Sequence, residues 1–341
     1  MANGNTSPSR LGQVNAAGDA NALFLKVFSG EILTTFEETN IMKDLHMVRT
    51  IQNGKSAQFP ATGIAEAKYH TAGENIADAG NNYLSAIKHA ERVISIDDVL
   101  ISSTFIANID ELKNHYDVRS IYAKELGKAL AKRFDIATMK TLAAAARSGA
   151  TVSGGESGTI LGSGTSLFSG SAATAAELID ALYAVAESLD SKDVSDEGRY
   201  AILSPADYYT LITADSSAVS LASNRDAGGV GNIATGTISQ VAGINLYKSN
   251  HLSSIAVAEA SQDQDDDGVN NDVFGANGTG YNADLSAVKI LAGTKDAIGT
   301  VKLLDLATES EYQIERQGTL FVAKYAMGHG VLRPECAVEV R

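Results

Sequence analysis

The chain has 341 residues, of which 44% are hydrophobic, and a formal net charge of −14 at pH 7. A chain of this length buries about three quarters of its unfolded surface, so we expect one large folded domain or two of medium size. The negative charge argues against proteins that grip duplex DNA, because these cluster Lys and Arg on the phosphates. The single cysteine, Cys336, excludes an intramolecular disulfide and is expected to be a buried, inert thiol.

The N-terminal segment is small and polar. Residues 1–22 are rich in Asn, Gly, Ser and Ala without an apolar period, which predicts a disordered or arm-like tether. They lack the apolar core of a secretory signal, and the apolar run that follows, LFLKVF, is too short to span a bilayer. We therefore expect a soluble intracellular protein with no membrane partner.

Residues 47–100 have the composition of extended structure. The runs MVRTI and SAQF flank Asn53-Gly54, a dipeptide that favours a tight turn, so a hairpin of these two runs is predicted. Further on, Ile94 and Ile96 alternate with polar residues. The small and polar residues between, 63–85, are too many for a self-contained hairpin, so they are functional or pack on something outside the monomer.

The clearest helix is predicted over residues 117–147, with Asp117 as its cap. Apolar residues recur at every fourth position and predict a buried stripe: Tyr122, Leu126, Leu130 and Phe134. The opposite face carries a row of lysines, interpreted as a solvated helix face: Lys124, Lys128 and Lys132. The helix would span about 45 Å and form a spine.

A Gly, Ser and Thr segment over residues 149–174 is interpreted as a flexible surface loop, because it contains no phosphate-binding motif. A second helix is predicted from an apolar face made of Leu178, Ile179, Leu182, Ala186 and Leu189. A strand at 199–203 follows, and Ser204, Pro205 and Asp207 form the start pattern of a short helix. From residue 236 onward the pattern is of strands, so the fold class is α+β.

The sequence contains no recognisable set of catalytic residues. The six histidines are far apart in sequence, no HExxH or GxSxG occurs, and Cys336 lies near the end of the chain. We therefore predict that the protein is not an enzyme and binds no cofactor.

The run SQDQDDDGVNND at 261–272 resembles the start of a calcium-binding loop. Asp263, Asp265 and Asp267 occupy the first, third and fifth positions, and Asn271 is a further candidate ligand. Phe274 stands where the bidentate Glu of such a loop belongs, so these are weak metal candidates. The alternative is an exposed, solvated hairpin tip, which we favour.

Five stretches together resemble one family, the major capsid proteins of short-tailed phages related to phage T-seven. They are LFLKVFSGEILTTF, HMVRTIQNGKSAQFPATG, NHYDVRSIYAKELGKALA, GTVKL and VAKYAMGHGVLRPE. They are spread over both ends of the chain, while the middle, at about 150–285, is similar only in pattern.

This resemblance implies an HK97-like capsid fold with an N-terminal arm, an extended two-stranded loop, a peripheral domain with a long spine helix, and an axial domain. Carried over, the divisions are arm 1–45, extended loop 46–100, spine region 101–148, axial domain 149–297 and C-terminal peripheral strands 298–341. The polar segment that cannot bury itself in its own chain could then do so across an interface between subunits.

The resemblance also implies self-assembly into hexamers and pentamers of an icosahedral shell around double-stranded DNA, held without sequence-specific binding. A scaffolding protein during assembly, a portal at one vertex and assembly in the host cytoplasm are implied as well. Contacts between subunits are expected from the arm, through Leu23, Phe24 and Phe28, and from the loop, through Lys55, Phe59, Tyr69 and Tyr83.

Two alternatives remain at this point. An encapsulin, a cellular compartment that encloses cargo enzymes, would have the same fold. A calcium-dependent β-rich module is suggested by the Asp run and the acidity, but the predicted spine helix speaks against it.

Overall fold

The computed structural model describes residues 40–63, 67–78, 87–107, 118–162, 173–212, 240–254 and 287–341, with a few positions outside these ranges. The strands are β1 Met47–Thr50, β2 Ser56–Thr62, β3 His89–Ser95, β4 Leu100–Ala107, β5 Thr159–Leu161, β6 Tyr200–Leu203, β7 Gly231–Asn232, β8 Thr237–Ile238, β9 Gln240–Val241, β10 Ile244–Lys248, β11 Ile290–Gly293, β12 Ile298–Gln313, β13 Gly318–Val331 and β14 Ala337–Val340. The α-helices with described bounds are α1 Val118–Ala146, α2 Ala175–Asp190, α3 Pro205–Ile212 and α4 Asn250–Ser254.

Two sheets carry the body of the protein. One has four strands in the order β1-β12-β13-β4, and the other has six in the order β5-β14-β11-β6-β10-β9. Strands β2 and β3 pair with each other as a separate two-stranded sheet, and β7 pairs with β8. The fold is therefore of the predicted α+β class.

The spine helix α1 contacts both large sheets, through β13 and β4 of one and β14 and β11 of the other. Helices α2 and α3 cover the opposite face of the six-stranded sheet. Neighbouring residues of β6 show this division, because successive side chains of a strand point to opposite faces. Tyr200 and Ile202 lie in the core beneath α1, whereas Ala201 and Leu203 lie in the core beneath α2 and α3.

The predicted spine helix is confirmed to within one residue at each end. Leu126, Leu130 and Phe134 are buried and the three lysines are exposed, but the placement of Tyr122 in the stripe was wrong, since it is 39% exposed. A four-residue step advances an α-helix by about 40° more than a full turn, so three steps carry Tyr122 well away from the face of Phe134. Ala123 is fully buried in its place.

The next two helices also agree with the sequence pattern. Leu178, Leu182 and Leu189 of α2 are buried, and Ile179 and Ala186 are partly buried. Thr174 and Glu177 form a reciprocal capping box at its start. At the start of α3, the Ser204 hydroxyl donates to Asp207 Oδ2 at 2.8 Å and accepts from the Asp207 N–H at 3.1 Å.

Two local predictions were wrong. The chain bends at Asn53, with Gly54 at φ +119°, but β1 pairs with β12 and β2 with β3 rather than with each other. The Gly, Ser and Thr segment contains a strand, β5, which pairs in parallel with β14. Among the C-terminal strands, β12 and β13 lie in the four-stranded sheet and β14 lies in the six-stranded sheet.

Cys336 is buried as expected, and burial raises the pKa of its thiol. In the part of the chain described above, no helix combines the length and apolar character needed to cross a membrane.

Candidate assembly surface

Strands β2 and β3 form an antiparallel ribbon that is separate from the two large sheets. Its register runs from Ser56 opposite Ser95 to Thr62 opposite His89. Seven residues of strand extend about 23 Å. We call residues 56–95 the ribbon. Its foot is anchored, because Ala57, Ile94 and Ile96 are buried in a small core with Val301, Ala326 and Leu332.

Polar contacts join the rest of the paired strands to the body as well. Arg92 Nε donates to Thr151 Oγ1 at 3.3 Å, and Thr151 Oγ1 donates to the Leu332 carbonyl at 3.1 Å. Lys88 Nζ donates to Ser153 Oγ at 2.8 Å. A cleft of about 450 Å³ lies beside these contacts, lined in part by Phe59, Pro60, Val152, Leu332 and Arg333. The paired strands are therefore held to the body at both ends.

Two of the predicted contact residues lie near this foot. The Lys55 carbonyl accepts a hydrogen bond from the Ile96 N–H at 2.9 Å. Lys55 is otherwise exposed to solvent. Phe59 is only partly buried and lies 5.6 Å from the Arg49 guanidinium. Arg49 Nη1 also donates to the Gln58 carbonyl at 3.0 Å. Their contact with a neighbouring subunit stays a prediction.

The far part of the ribbon is organised around Tyr83, another predicted contact residue. Its hydroxyl donates to Glu74 Oε2 and accepts from the Thr71 N–H, the latter at 3.0 Å. The His70 ring lies 5.2 Å from the Tyr83 ring, and His70 Nε2 donates to the Glu74 carbonyl at 2.8 Å. We call these four residues the tip knot. The four residues of the tip knot thus hold one another in place although they are largely exposed.

Apolar side chains of the ribbon face solvent in the single chain. Tyr69 is fully exposed, and Ile76, Leu84, Ile87 and Val93 are each between 49% and 65% exposed. Exposed apolar groups on a projecting element are typical of surfaces that bind another protein. Because the tip knot holds the segment that carries Tyr69 in place, less conformational entropy would be lost on binding.

A polar cluster lies beside β1, the strand that precedes the ribbon. It consists of His46, Thr300 and His329. Thr300 Oγ1 lies 2.7 Å from both His46 Nε2 and His329 Nδ1. Desolvation by burial lowers the pKa of His46. Desolvation, with the neighbouring His46 in second place, lowers the pKa of His329 to about 3. Both rings are therefore neutral at pH 7.

Several sequence-predicted residues lie outside the described residues. These are Leu23, Phe24 and Phe28 of the arm and Asp263, Asp265, Asp267 and Asn271 of the Asp run. Within the described ranges, no group of three or more His, Cys, Asp or Glu side chains is arranged to hold a metal ion.

Comparison with known proteins identifies the family that this chain resembles. A family model described as Gp10A-like, major capsid protein, matches residues 58–341. The major capsid protein of Escherichia phage T7 is 34% identical over 333 residues, which cover 95% of this chain and 93% of that protein. The major capsid protein of Enterobacteria phage T3 is 35% identical, covering 96% of this chain and 93% of its own length.

A solved capsid structure agrees with these relatives. The capsid of the cyanophage P-SCSP1u superposes with a TM-score of 0.70 at 38% identity and covers 98% of both chains. Proteins of this kind are structural components of virion shells, and the family is not known for enzymatic activity. The interpretation as a phage shell protein is thus confirmed over the encapsulin and the calcium-dependent module. The chain belongs to the Gp10A-like family of major capsid proteins and has the HK97-like fold.

Proposed function

We propose that copies of this chain assemble, as hexamers and pentamers, into an icosahedral shell around the double-stranded DNA genome of a tailed phage. The observation that carries the proposal is the ribbon, with a preorganised tip and a set of apolar side chains that its own chain leaves uncovered. A second copy of the chain would cover them. Many modest contacts repeated around a closed shell then give a stability that no single contact provides.

The chain divides, in this proposal, into the arm 1–45, the extended loop 46–100, the peripheral domain 101–148 with 298–341, and the axial domain 149–297. The arm and the loop reach neighbouring subunits. The two large sheets, joined by α1, support this division into two bodies. Strands β1 and β14 are the exceptions, because each pairs outside the segment to which the division assigns it.

Further partners follow from the same proposal. A scaffolding protein guides assembly in the host cytoplasm, a portal occupies one vertex, and the packaged DNA is held without sequence-specific contacts. The net charge of −14 supports the last point, since an acidic lining does not grip phosphates. Assembled shells should leave linear duplex DNA unshifted in a gel at low salt, and tight retention would contradict this part of the proposal.

The main test uses Tyr69, which is fully exposed on the ribbon. The wild-type chain, expressed with a scaffolding partner, should form uniform icosahedral shells by electron microscopy. Tyr69→Ser should raise the protein concentration needed for assembly by about tenfold or more, because a buried aromatic anchor contributes more than about 1.4 kcal/mol to an interface. Tyr69→Phe is the matched control and should assemble almost normally. A wild-type chain that stays monomeric under all conditions would contradict the proposal.

A further inference from the structure

The foot of the ribbon rests on two glycines of β13. A Cβ atom at Gly328 would lie 1.9 Å from the Ser95 carbonyl oxygen, and one at Gly330 would lie 2.6 Å from Ile94 Cγ1. Both distances are shorter than real Cβ contacts, so the two strands approach each other in a way that only glycine permits. The Asp97 N–H also donates to the Met327 carbonyl at 3.3 Å. The foot of the ribbon thus packs directly against the backbone of β13.

The residue between the two glycines, His329, belongs to the opposite face of the same strand, because side chains alternate along a strand. Its ring meets the Phe134 ring of α1 edge-on, with 5.2 Å between centroids and an interplanar angle of 83°. It also stands directly across from Thr300 in the β12–β13 register. One three-residue segment, Gly328-His329-Gly330, therefore contacts the ribbon on one side and the spine helix on the other.

A chain of hydrogen bonds extends this contact to the segment that leads into the ribbon. His46 Nδ1 lies 2.6 Å from the Met42 carbonyl and must donate to it, so its Nε2 accepts from the Thr300 hydroxyl. Since that hydroxyl has only one hydrogen, its oxygen accepts from His329 Nδ1–H at 2.7 Å. His46 directly precedes β1.

The spine helix completes the connection through Asp135, which is fully buried and follows Phe134 in α1. Its carboxylate accepts the N–H groups of Ile41 and Met42, each at 3.2 Å, and so holds the turn on which His46 depends. His251 Nδ1 of α4 lies 3.2 Å from the same carboxylate. The segment that precedes β1, the four-stranded sheet and the spine helix thus share one network.

We propose that Gly328-His329-Gly330 is the pivot of the ribbon, and that Thr300 and His329 position the ribbon's foot relative to the spine helix. This inference rests on the proposed function in one respect: a neighbouring subunit that binds the ribbon would pull on this pivot. A change in the angle of the ribbon would then be transmitted across a single strand to α1. Thr300 and His329 are positioning residues, because neither contacts the surface that a neighbour would bind.

Hydrogen exchange of the unassembled full chain at pH 7, read by mass spectrometry, tests the coupling. Thr300→Val removes the bridging hydroxyl at nearly constant volume and leaves two buried imidazole nitrogens without their partner. We expect exchange in β2 and β3 to rise by about tenfold, the effect of one lost buried hydrogen bond, while β6, β10 and β11 keep their protection. Thr300→Ser retains the hydroxyl and should restore slow exchange.

Unchanged exchange in β2 and β3, or an equal rise in both large sheets, would overturn the pivot. Gly328→Ala is the second variant, with Gly149→Ala as control, because a Cβ atom at Gly149 would meet no atom within 4 Å. Gly328→Ala should unseat the ribbon and raise exchange in β3, whereas Gly149→Ala should leave it unchanged. The measurement needs no shells, so a wild-type chain that fails to assemble would contradict the proposed function and leave the pivot intact. Shells that form normally without this coupling would contradict the pivot alone.

Discussion

Gly127 of the spine helix lies directly against the carbonyl group of Ile32. A Cβ atom at position 127 would be 2.9 Å from that oxygen and 3.1 Å from Thr35 Cβ. Ile32 is itself fully buried, and Phe36 packs edge-on against Phe134 with ring centroids 6.1 Å apart. Ile32, Thr35 and Phe36, which lie within the predicted arm 1–45, are therefore fitted to α1 at this glycine.

Gly127→Ala should destabilise the protein even though alanine is the better helix former. The helix gains about 1 kcal/mol from the substitution, whereas overpacking against a carbonyl group costs about 1–3 kcal/mol, and the segment at 32–36 must shift. Limited proteolysis should cut the N-terminal region of the variant faster than that of the wild type. Gly149→Ala serves as control, and a Gly127→Ala variant that resists unfolding and proteolysis better than wild type would contradict this account.

Asp135→Asn should lower the free energy of unfolding by about 1–3 kcal/mol, because the amide replaces one acceptor oxygen with a donor opposite the Ile41 and Met42 N–H groups. Urea denaturation checks the value. Asp180→Asn, at an exposed position of α2, should change it by less than about 0.5 kcal/mol. Equal stability of the two variants would show that the Asp135 carboxylate does not hold the turn at 42–44.

The histidine pair should make the protein less stable in acid. Burial lowers the pKa of both His46 and His329 below the ordinary value of 6.5, so the unfolded chain binds protons that the folded chain does not. This contribution to stability is fully present above about pH 6.5 and is lost as the pH falls toward the folded pKa, which is about 3 for His329. Each histidine removes at most about 1.4 kcal/mol per pH unit in that window.

Urea denaturation at pH 7.5, 6 and 5 measures this slope. A double variant, His46→Gln with His329→Gln, keeps polar groups in place without the titration and should lose less stability between pH 7.5 and 5 than the wild type. Identical slopes for the two proteins would show that carboxylates alone account for the acid sensitivity.

Tyr83→Phe should loosen the tip of the ribbon without unfolding the body. The variant keeps the ring beside His70 but loses the hydroxyl that joins Glu74 to the Thr71 N–H. We expect faster hydrogen exchange at 71–78 and weaker assembly, with an unchanged melting temperature. Tyr183→Phe, at a 60% exposed position of α2, is the matched control. Normal assembly of Tyr83→Phe would mean that the tip knot does not prepare the ribbon for binding.

The elements predicted correctly from the sequence are those with local signals. The spine helix is a run of 29 residues without proline and rich in good helix formers, and Ser204 and Asp207 begin α3 by a pattern of closely spaced residues. The residue pattern alone predicts the ribbon only as extended structure, and the resemblance adds that it has two strands. The predicted pairing of β1 with β2 was wrong because β1 pairs with β12, some 250 residues later, with Met47 opposite Gly299. No local sequence pattern near either strand indicates a pairing over such a distance.

The candidate surface was predicted in part. Tyr69 and Tyr83 were named from the resemblance, and the structure shows different surroundings for them, one fully exposed and the other hydrogen-bonded. His70 and Glu74 were missed, because contacts across an irregular segment have no fixed spacing. The close packing of the ribbon on Gly328 and Gly330 was not predicted either, although the sequence GHG lies within one of the five stretches that resemble phage capsid proteins. Glycine on both sides of a strand residue is a signal of close backbone approach that could have been read.

The position of β14 sets a condition on which chains can enter a shell. This strand lies between β5 and β11, and Glu339 within it is fully buried and paired with Arg147 by two bonds of 2.7 Å. A chain that stops before residue 337 leaves β5 without a partner and Arg147 without its carboxylate. It also exposes the edge of β11. We therefore expect a chain that lacks β14 to leave the six-stranded sheet incomplete and to be excluded from a shell, which size-exclusion chromatography and electron microscopy of such a truncated chain would check.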